Sequence, residues 1–405
     1  MGHARTAGST VPTAPSRRTG WTMVVAVFVI LATLNGLTFY SMSAYIDALV
    51  DERGMSLTLA SSGPGISALV SGLSGLVVAR LIGVVPIRVL MVIGATGTAV
   101  GLTAIGRSTE PWQLWLSFAL FGASSAWTSA GPCSALVSRW FPDAPAKPLA
   151  VAMTGLSAGG AFVPPIALAL IDARGIASAS RTIAIAVLVI VGLIAIVIRE
   201  AAAPPRRPAA DGTVPDPPRT SFRDRRFRCL FVGFGVIMLA QLGTGTHLVR
   251  LARESGIAGA ALAVSTMALC SFGGRLASIP VLAALGLRRF TIALGVLQVG
   301  ALLTLASAGT QVQLVLGAAM LGATTGNFIF LISLYCIEAY GIADYPRMFA
   351  RVNLSSPLGS GSGPLVIGVM ATALGGYGLT LGLMAVVSAI GASCVVASGV
   401  DSRRE

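Results

Sequence analysis

Arg275 is the residue in this sequence whose type and surroundings point most directly to chemistry. It is the single charged residue in the apolar stretch 255–287. Placing an arginine at the centre of a membrane helix costs roughly 2.5–3.5 kcal/mol, so a chain that keeps one there is expected to supply a partner. A guanidinium group can make two parallel hydrogen bonds to a carboxylate, which makes an anion the natural ligand. Ser271 lies one helical turn earlier and could hydrogen-bond the arginine or that ligand.

The alternative for Arg275 is a structural arginine that reaches water, either from a helix that ends just before it or after a re-entrant turn at Pro280. The sequence favours a continuous helix, because 276–287 remains apolar up to the basic pair Arg288-Arg289. Thirteen residues of helix span about 20 Å, which is further than an arginine side chain easily reaches. We therefore predict that Arg275 binds an anion inside the membrane.

Polar side chains in other apolar runs are further candidates for this site, because lipid offers them no hydrogen-bond partners. We predict Asn35, Tyr40 and Asn327 as substrate-binding residues with Ser271 and Arg275, while the sequence leaves open which of them face a cavity.

His247 and Glu338 are the candidates for carrying a proton. A histidine titrates near neutral pH, and Glu338, at the end of the tenth apolar run, could pair with Arg275. The plainer interpretations are a neutral, hydrogen-bonded histidine at a helix end and a surface glutamate.

The sequence has none of the patterns that support covalent or redox chemistry. It contains no serine–histidine–aspartate set, no cluster of metal ligands and no phosphate-binding glycine motif with its lysine. Its five cysteines lie in or beside apolar runs without CxxC spacing, which is typical of small buried side chains. We expect no enzymatic activity, no metal and no cofactor, which favours secondary transport over a pump driven by nucleotide hydrolysis.

The composition of the whole chain is that of an integral membrane protein. Hydrophobic residues make up 55% of its 405 positions and charged residues 11%, against roughly 25% charged residues in soluble proteins. Apolar runs long enough to cross ~30 Å of hydrocarbon as helices recur along the chain. They predict an all-α integral membrane protein with twelve transmembrane helices, at about 22–46, 58–80, 87–107, 111–138, 148–171, 178–198, 227–249, 258–284, 290–309, 312–337, 348–374 and 377–399.

The basic residues predict how the spans are oriented. With the N-terminus inside, 21 of the 28 lysines and arginines fall in inside segments, 6 in outside segments, and Arg275 lies within a span. This bias places both termini in the cytosol. Residues 1–20 show no cleavable signal, so we predict a multi-pass protein of the cytoplasmic (inner) membrane. The net charge of +13 then indicates contact with anionic inner-leaflet lipid, and we expect no nucleic-acid partner.

A proline- and arginine-rich segment divides the chain into halves. Residues 199–228 hold six prolines and eight arginines without hydrophobic periodicity, as in a flexible linker. Residues at an offset of 200 match, such as Gly122 with Gly322 and Pro164 with Pro364, and predict two parallel six-helix repeats. The predicted divisions are an N-terminal cytosolic tail (1–21), an N-terminal half (22–198), a cytosolic linker (199–226), a C-terminal half (227–400) and a cytosolic C-terminal tail (401–405).

Three segments carry a resemblance to a known family. They are Arg139-Trp140-Phe141 with the following GLSAGG run (155–160), His247-Leu248 with Gly274-Arg275, and the ERGMS segment (52–56). Together they resemble the monocarboxylate transporter branch of the major facilitator superfamily, at low density over most of the chain. The resemblance implies the twelve-helix major facilitator fold with a site between its halves, a carboxylate bound to Arg275, and a proton that travels with it.

The chain departs from that family at three positions. The acidic residue often found one turn before the arginine is Ser271 here, and the first span has no lysine. The superfamily's loop motif keeps Gly75 but has Ala79 at its acidic position. Substrate binding therefore transfers from the family better than the apparatus for proton coupling.

Residues and resemblance together predict a secondary active transporter of small organic anions, in particular monocarboxylates, coupled to protons and working by alternating access. Its partners would be the carboxylate, protons and the lipid bilayer. One alternative is a multidrug or metabolite exporter on the same fold, although the scarcity of intramembrane acids counts against cationic cargo. The other is a non-transporting membrane receptor or scaffold, which the serine at position 271 keeps open.

Overall fold

The structure is a computed structural model that describes residues 17–82, 84–141, 146–199 and 224–399. Within these ranges the regular elements are helices, apart from one isolated pairing of Ile82 with Val85. The predicted C-terminal tail (401–405), most of the predicted linker and the N-terminal tail up to residue 16 lie outside the described residues. The first helix begins at Arg17, within the predicted tail.

Helices follow one another closely along both halves of the chain. The N-terminal half comprises α1 (Arg17–Asn35), a π-helical turn (Gly36–Tyr40), α2 (Met42–Asp51), α3 (Leu57–Leu81), α4 (Ile87–Ile105), α5 (Pro111–Ser125), a 3-10 turn (Ala126–Thr128), α6 (Ala130–Trp140), α7 (Ala146–Met153) and α8 (Gly155–Val197). The C-terminal half comprises α9 (Arg225–Thr246), α10 (Leu248–Glu254), α11 (Ala260–Ala306), α12 (Gln311–Asn353), α13 (Ser355–Ala373) and α14 (Tyr377–Val396).

Three of these helices contain a sharp turn at a glycine. Gly175 in α8, Gly286 in α11 and Gly341 in α12 have φ of 72°, 74° and 75°, a conformation that residues with a Cβ avoid. Each glycine therefore separates two helices that follow each other without a loop. The turn at Gly286 agrees with the very short connection that the sequence predicts between the eighth and ninth spans.

The described residues contain nine helical segments long and apolar enough to cross a membrane. One of these, Lys147–Val197, holds two predicted spans because it turns at Gly175. The interrupted pair α5–α6 and the glycine-rich α13 occupy the predicted fourth and eleventh spans. The fold is therefore all-helical, as predicted, and consistent with twelve spans.

The two halves repeat the same close helix contacts at the predicted offset of 200. A Cβ added to Gly122 would lie 2.7 Å from the Cα of Ser67, and one added to Gly322 would lie 2.8 Å from the Cα of Met267. Both distances are well below ordinary carbon contacts of about 3.5–4.0 Å, so both crossings require glycine. The shared geometry confirms the predicted parallel repeat.

The ERGMS segment after α2 makes hydrogen bonds to neighbouring loops at one end of the bundle. Glu52 accepts hydrogen bonds of 2.8 and 3.1 Å from the backbone N–H of Ile176, which begins the helix after the turn at Gly175. Arg53 donates to the carbonyl of Gly106 at 2.5 Å. These two charged residues are therefore held by the backbone of the N-terminal half.

We call this end of the bundle the ion-pair side, because it also carries the ion pairs of α2 and α10. The opposite end carries Arg17, Arg199 and Asp224, and we call it the termini side. Between the halves, α3 packs against α13, where a Cβ on Gly65 would collide with the carbonyl oxygen of Gly361. The halves also meet where α8 crosses α11, which is the part of the fold that positions Arg275.

Candidate functional site

Arg275 lies in the middle of a continuous helix. Helix α11 begins at Ala260 and stays helical through Pro280 to its turn at Gly286. Arg275 is 15 residues from the start and 11 residues from the turn, which corresponds to about 22 Å and about 16 Å of helix. The structure therefore has neither a helix end before Arg275 nor a re-entrant turn at Pro280.

The Arg275 side chain extends from the C-terminal half to the N-terminal half. Its Nη1 lies 3.5 Å from the hydroxyl oxygen of Ser157 on α8. Its aliphatic part lies flat against Gly326 of α12, where an added Cβ would be 2.5 Å from Arg275 Cγ and 2.7 Å from Cδ. Ten residues before Arg275 on α11, Ser265 donates to the carbonyl of Ala161 on α8 at 3.1 Å. The guanidinium group thus lies at the interface between the two repeats.

The π-helical turn in the first span brings Tyr40 to the same place. The turn forms because the N–H of Ser41 donates to the carbonyl of Gly36 at 2.9 Å, one residue further than in an α-helix. The buried Tyr40 side chain lies beside Ser271 and within electrostatic range of Arg275. Interrupted helices of this kind are frequent at functional sites. The structure therefore brings together three of the five predicted substrate-binding residues.

Glycine at position 160 makes room for this arrangement. A Cβ added to Gly160 would lie 2.6 Å from the Tyr40 ring and 2.6 Å from the Cβ of Ala268. Because Gly160 belongs to α8 and Ala268 to α11, this close approach is a crossing between the two halves. The GLSAGG run therefore acts through its small residues, which allow three spans to meet around Arg275.

Asn327 joins the site through its position beside Gly326. Its side-chain amide donates to the carbonyls of Gly274 at 3.2 Å and Ala323 at 2.8 Å. Its Oδ1 is buried, and the buried hydroxyl of Ser271 lies beside that of Tyr40. A hydroxyl can donate a hydrogen bond to an anion, whereas an amide oxygen only accepts.

Arg275 also lacks a compensating charge in the described part of the chain. No aspartate or glutamate there lies within ion-pair distance of its guanidinium group. The combination of a cation without a nearby carboxylate, a serine hydroxyl and a tyrosine hydroxyl suits a small anion, because all three can donate hydrogen bonds to it. The site offers no nucleophile activated by a base, and the described residues contain no cluster able to hold a metal ion.

Asn35 lies close to the site but uses its amide for packing. Its Nδ2 donates to the carbonyl of Leu156 at 2.8 Å, which joins α1 to α8 one residue before Ser157. The side chain is half-buried. Its predicted contact with substrate stays a prediction.

His247 is buried and both of its ring nitrogens are engaged. Nε2 lies 2.9 Å from the carbonyl of Pro364 and Nδ1 lies 2.8 Å from the hydroxyl of Tyr377. A carbonyl only accepts, so Nε2 carries a hydrogen, and the Tyr377 hydroxyl can donate to Nδ1 of a neutral ring. This geometry matches the plainer interpretation of His247 as a neutral residue, and its predicted role in proton coupling stays a prediction.

Glu338 is exposed toward the termini side and does not contact Arg275. It lies 12 residues beyond Gly326 on α12, or about 18 Å along the helix. In this conformation it is therefore too far away to neutralise Arg275. Sequence reasoning missed Ser157 and Gly326 as site residues, although Ser157 lies within the GLSAGG run that carries the resemblance.

The chain belongs to the major facilitator superfamily, whose family model matches residues 27–296. This agrees with the all-helical fold, the two repeats and the site between them. A search of curated protein sequences finds no significant match.

Solved transporter structures share this fold over nearly their whole length. A bacterial homologue of the human lysosomal transporter Spinster, in an inward-facing and occupied conformation, is 15% identical, with 95% of this chain and 94% of that chain covered and a TM-score of 0.69. The nucleoside transporter NupG is 13% identical, with 94% and 98% covered and a TM-score of 0.75. A POT family transporter in complex with a thioalcohol-conjugated peptide is 13% identical, with 92% and 95% covered and a TM-score of 0.71. At these identities the similarity shows the fold alone.

Proposed function

We propose that this major facilitator protein is a secondary active transporter of small organic anions, in particular monocarboxylates, that moves its substrate with protons by alternating access. The observation that carries the proposal is Arg275, which lies at mid-helix between the halves without a carboxylate partner in the described residues. The hydroxyl of Ser271, which can donate to a carboxylate, lies one turn before it on the same helix.

The chemistry of the site favours one carboxylate group. The planar guanidinium fork matches a carboxylate in a bidentate geometry, and a serine hydroxyl can donate a further hydrogen bond to the same group. Arg275 is the single lysine or arginine that the predicted topology does not assign to a water-facing segment. One cation balances one carboxylate, so a dicarboxylate would bring an uncompensated charge into the membrane at considerable cost.

The positive-inside bias supports an inner-membrane protein with the termini side in the cytosol. The inter-half contacts described above lie at the level of Arg275 or nearer to the ion-pair side. On this assignment the structure is closed toward the outside. The resemblance to monocarboxylate transporters supports a proton as the coupling ion.

The test is uptake into proteoliposomes with an imposed pH gradient, across a panel of mono- and dicarboxylates, for the unmodified protein and for Arg275→Ala and Arg275→Lys. Loss of charge-assisted hydrogen bonds worth about 1.5–3 kcal/mol each lowers affinity roughly 10- to 150-fold per bond. We expect Arg275→Ala to abolish measurable uptake and Arg275→Lys to retain a weak activity, because lysine keeps the charge but loses the fork. The exposed Arg107→Lys serves as the matched control.

Normal transport of the substrate by Arg275→Ala would contradict the proposal. Export of lipophilic cations that tolerates the loss of Arg275 would instead support the multidrug or metabolite exporter. Saturable binding of a carboxylate without flux would support the non-transporting receptor or scaffold.

A further inference from the structure

A second group of charged residues joins the two halves at the ion-pair side. It contains four carboxylates and two guanidinium groups, so its formal charge is −2 when every member is ionised. The N-terminal half supplies Asp47, Asp51 and Asp172, and the C-terminal half supplies Arg250, Arg253 and Glu254. We call this group the charged seal.

The hydrogen bonds of the charged seal go to its three more exposed carboxylates. Arg250 Nε donates to Glu254 at 2.7 Å, and its Nη1 donates to Asp51 across the halves. Arg253 Nη2 donates to Asp172 at 2.5 Å, also across the halves. The two arginines therefore hold the ion-pair side closed by binding carboxylates of the N-terminal half.

Asp47 differs from the other carboxylates of the charged seal. Its side chain is 1% exposed, whereas those of Asp51, Asp172 and Glu254 are 44%, 52% and 37% exposed. Its oxygens lie 2.9 Å from Arg253 Nε and 3.5 Å from Arg250 Nη1, yet neither accepts a hydrogen bond of ordinary geometry from the described residues. Asp47 is thus a buried carboxylate that lies between two guanidinium groups that donate hydrogen bonds to Glu254, Asp51 and Asp172.

The surroundings of Asp47 disfavour its charged form. It lies in α2, beyond the apolar span that ends at Tyr40. Burial raises the pKa of Asp47 from the ordinary 3.8 to about 6, with Arg253 opposing the rise and Asp51 adding to it. The charged and titratable groups that face it are Arg250, Arg253 and Glu254 of α10, Asp172 of α8, Asp51 of its own helix and Tyr377 of α14.

We infer that Asp47 is a proton-binding site of the transport cycle, occupied when the two halves close on the ion-pair side. The inference rests on the proposed proton-coupled transport and names the residue that would carry the proton. Its basis is geometric, because the charged seal has two more carboxylates than guanidinium groups and buries one of them, at 1% exposure, while the other three are at the surface. A proton from bulk water would bind a carboxylate oxygen and leave an uncharged acid in that place.

The direction of the coupling follows from the two environments of Asp47. When the ion-pair side opens, water reaches the carboxylate and its pKa falls toward the ordinary value. The closed state then has the higher pKa, so lower pH stabilises the closed state relative to the open one. Proton binding at an acidic outer surface favours closure, and proton loss to a more alkaline cytosol leaves a buried carboxylate that favours reopening.

The first experiment measures coupling in proteoliposomes with the carboxylate identified by the uptake panel. Asp47→Asn places an amide where the protonated acid would be. We expect this variant to exchange substrate in counterflow but to lose accumulation driven by a pH gradient, along with the proton uptake reported by a pH-sensitive dye inside the vesicles. Glu110→Gln, an exposed carboxylate of the same side outside the charged seal, should accumulate substrate like the unmodified protein. Accumulation by Asp47→Asn with an unchanged proton-to-substrate ratio would overturn the inference.

The second experiment needs no substrate. Nitroxide labels at Thr109→Cys and Ser307→Cys, both exposed on the ion-pair side of opposite halves, report the distance between the halves by pulsed electron paramagnetic resonance. The native cysteines are first replaced. Between pH 8 and pH 5 we expect the closed-to-open ratio to rise roughly tenfold, because the rise begins near the closed-state pKa of about 6 and reaches its limit of roughly 100-fold only below the ordinary pKa of 3.8. Asp47→Asn should remove this dependence.

The two experiments separate the inference from the proposed function. A distance change that requires Asp47, in a protein that transports no carboxylate, would support the proton site and contradict the proposed substrate. Proton-coupled carboxylate transport with an equal pH response in Asp47→Asn would support the proposed function and contradict the proton site.

Discussion

Gly326→Ala tests whether the packing of Arg275 against α12 sets the position of its guanidinium group. An added Cβ would lie 2.5 Å from Arg275 Cγ and 2.7 Å from Cδ, whereas ordinary carbon contacts are about 3.5–4.0 Å. The side chain would have to move away from α12 by at least about 1 Å. A shift of this size takes the fork out of register with a ligand that also contacts Ser271 and Asn327. Losing one charge-assisted hydrogen bond costs about 1.5–3 kcal/mol, which weakens binding roughly 10- to 150-fold.

The assay is the KM for uptake of the transported acid into proteoliposomes, measured together with the melting temperature. Gly273→Ala is the matched control, because Gly273 lies on the same helix as Arg275 and an added Cβ meets no atom within 4 Å. Alanine stabilises a helix interior by roughly 0.5–1 kcal/mol relative to glycine, so neither variant should lose activity through propensity. The KM should rise for Gly326→Ala and stay within about twofold for Gly273→Ala. Equal KM values in both variants, with unchanged melting, would refute the proposed role of the α12 contact.

Two further predictions concern residues that fasten the ion-pair side. Glu52→Gln removes the negative charge that accepts the hydrogen bonds of the Ile176 N–H at a helix start. Because a charge at a helix N-terminus contributes about 0.3–1 kcal/mol, the melting temperature should fall slightly while KM stays constant. A large rise in KM would contradict a purely structural role for Glu52. Tyr377→Phe removes the hydrogen bond to His247, which should cost about 0.5–1.5 kcal/mol of stability. It should leave the pH dependence of transport unchanged. A shifted pH profile in Tyr377→Phe that persists when Asp47→Asn is added would show that His247 carries the proton.

The bilayer made most of the fold predictable from the sequence. A helix must stay apolar for about 20 residues to cross the hydrocarbon, so the spans appear as long runs, and the predicted spans 58–80 and 377–399 correspond to Leu57–Leu81 and Tyr377–Val396. The helical extension to Asp51 was not visible in the hydropathy, because α2 continues beyond the apolar run and presents charges to the charged seal.

The candidate site was predictable only where a residue type was unusual for its surroundings in the sequence. A lone arginine in an apolar span is such a signal, and Arg275 indeed lies between the halves. Ser157 and Gly326 gave no comparable signal, since serine and glycine are common in membrane helices and act here through their position. The charged seal was hidden for another reason. Asp47 and Arg253 are about 200 residues apart in the sequence, where each looks like an ordinary charged residue near a loop. Only the packing of the two halves brings them together.

The electrostatics of the two sites allow direct coupling between substrate and proton. Tyr40, which lies beside Arg275, ends the first span, and Asp47 follows seven residues later in α2. An anion bound to Arg275 would reduce the positive potential of the site and so favour the protonated, uncharged form of Asp47. Linkage requires the reverse as well, so a proton on Asp47 would strengthen anion binding. Substrate and proton would then favour each other's binding without a relay of titratable residues between the two sites.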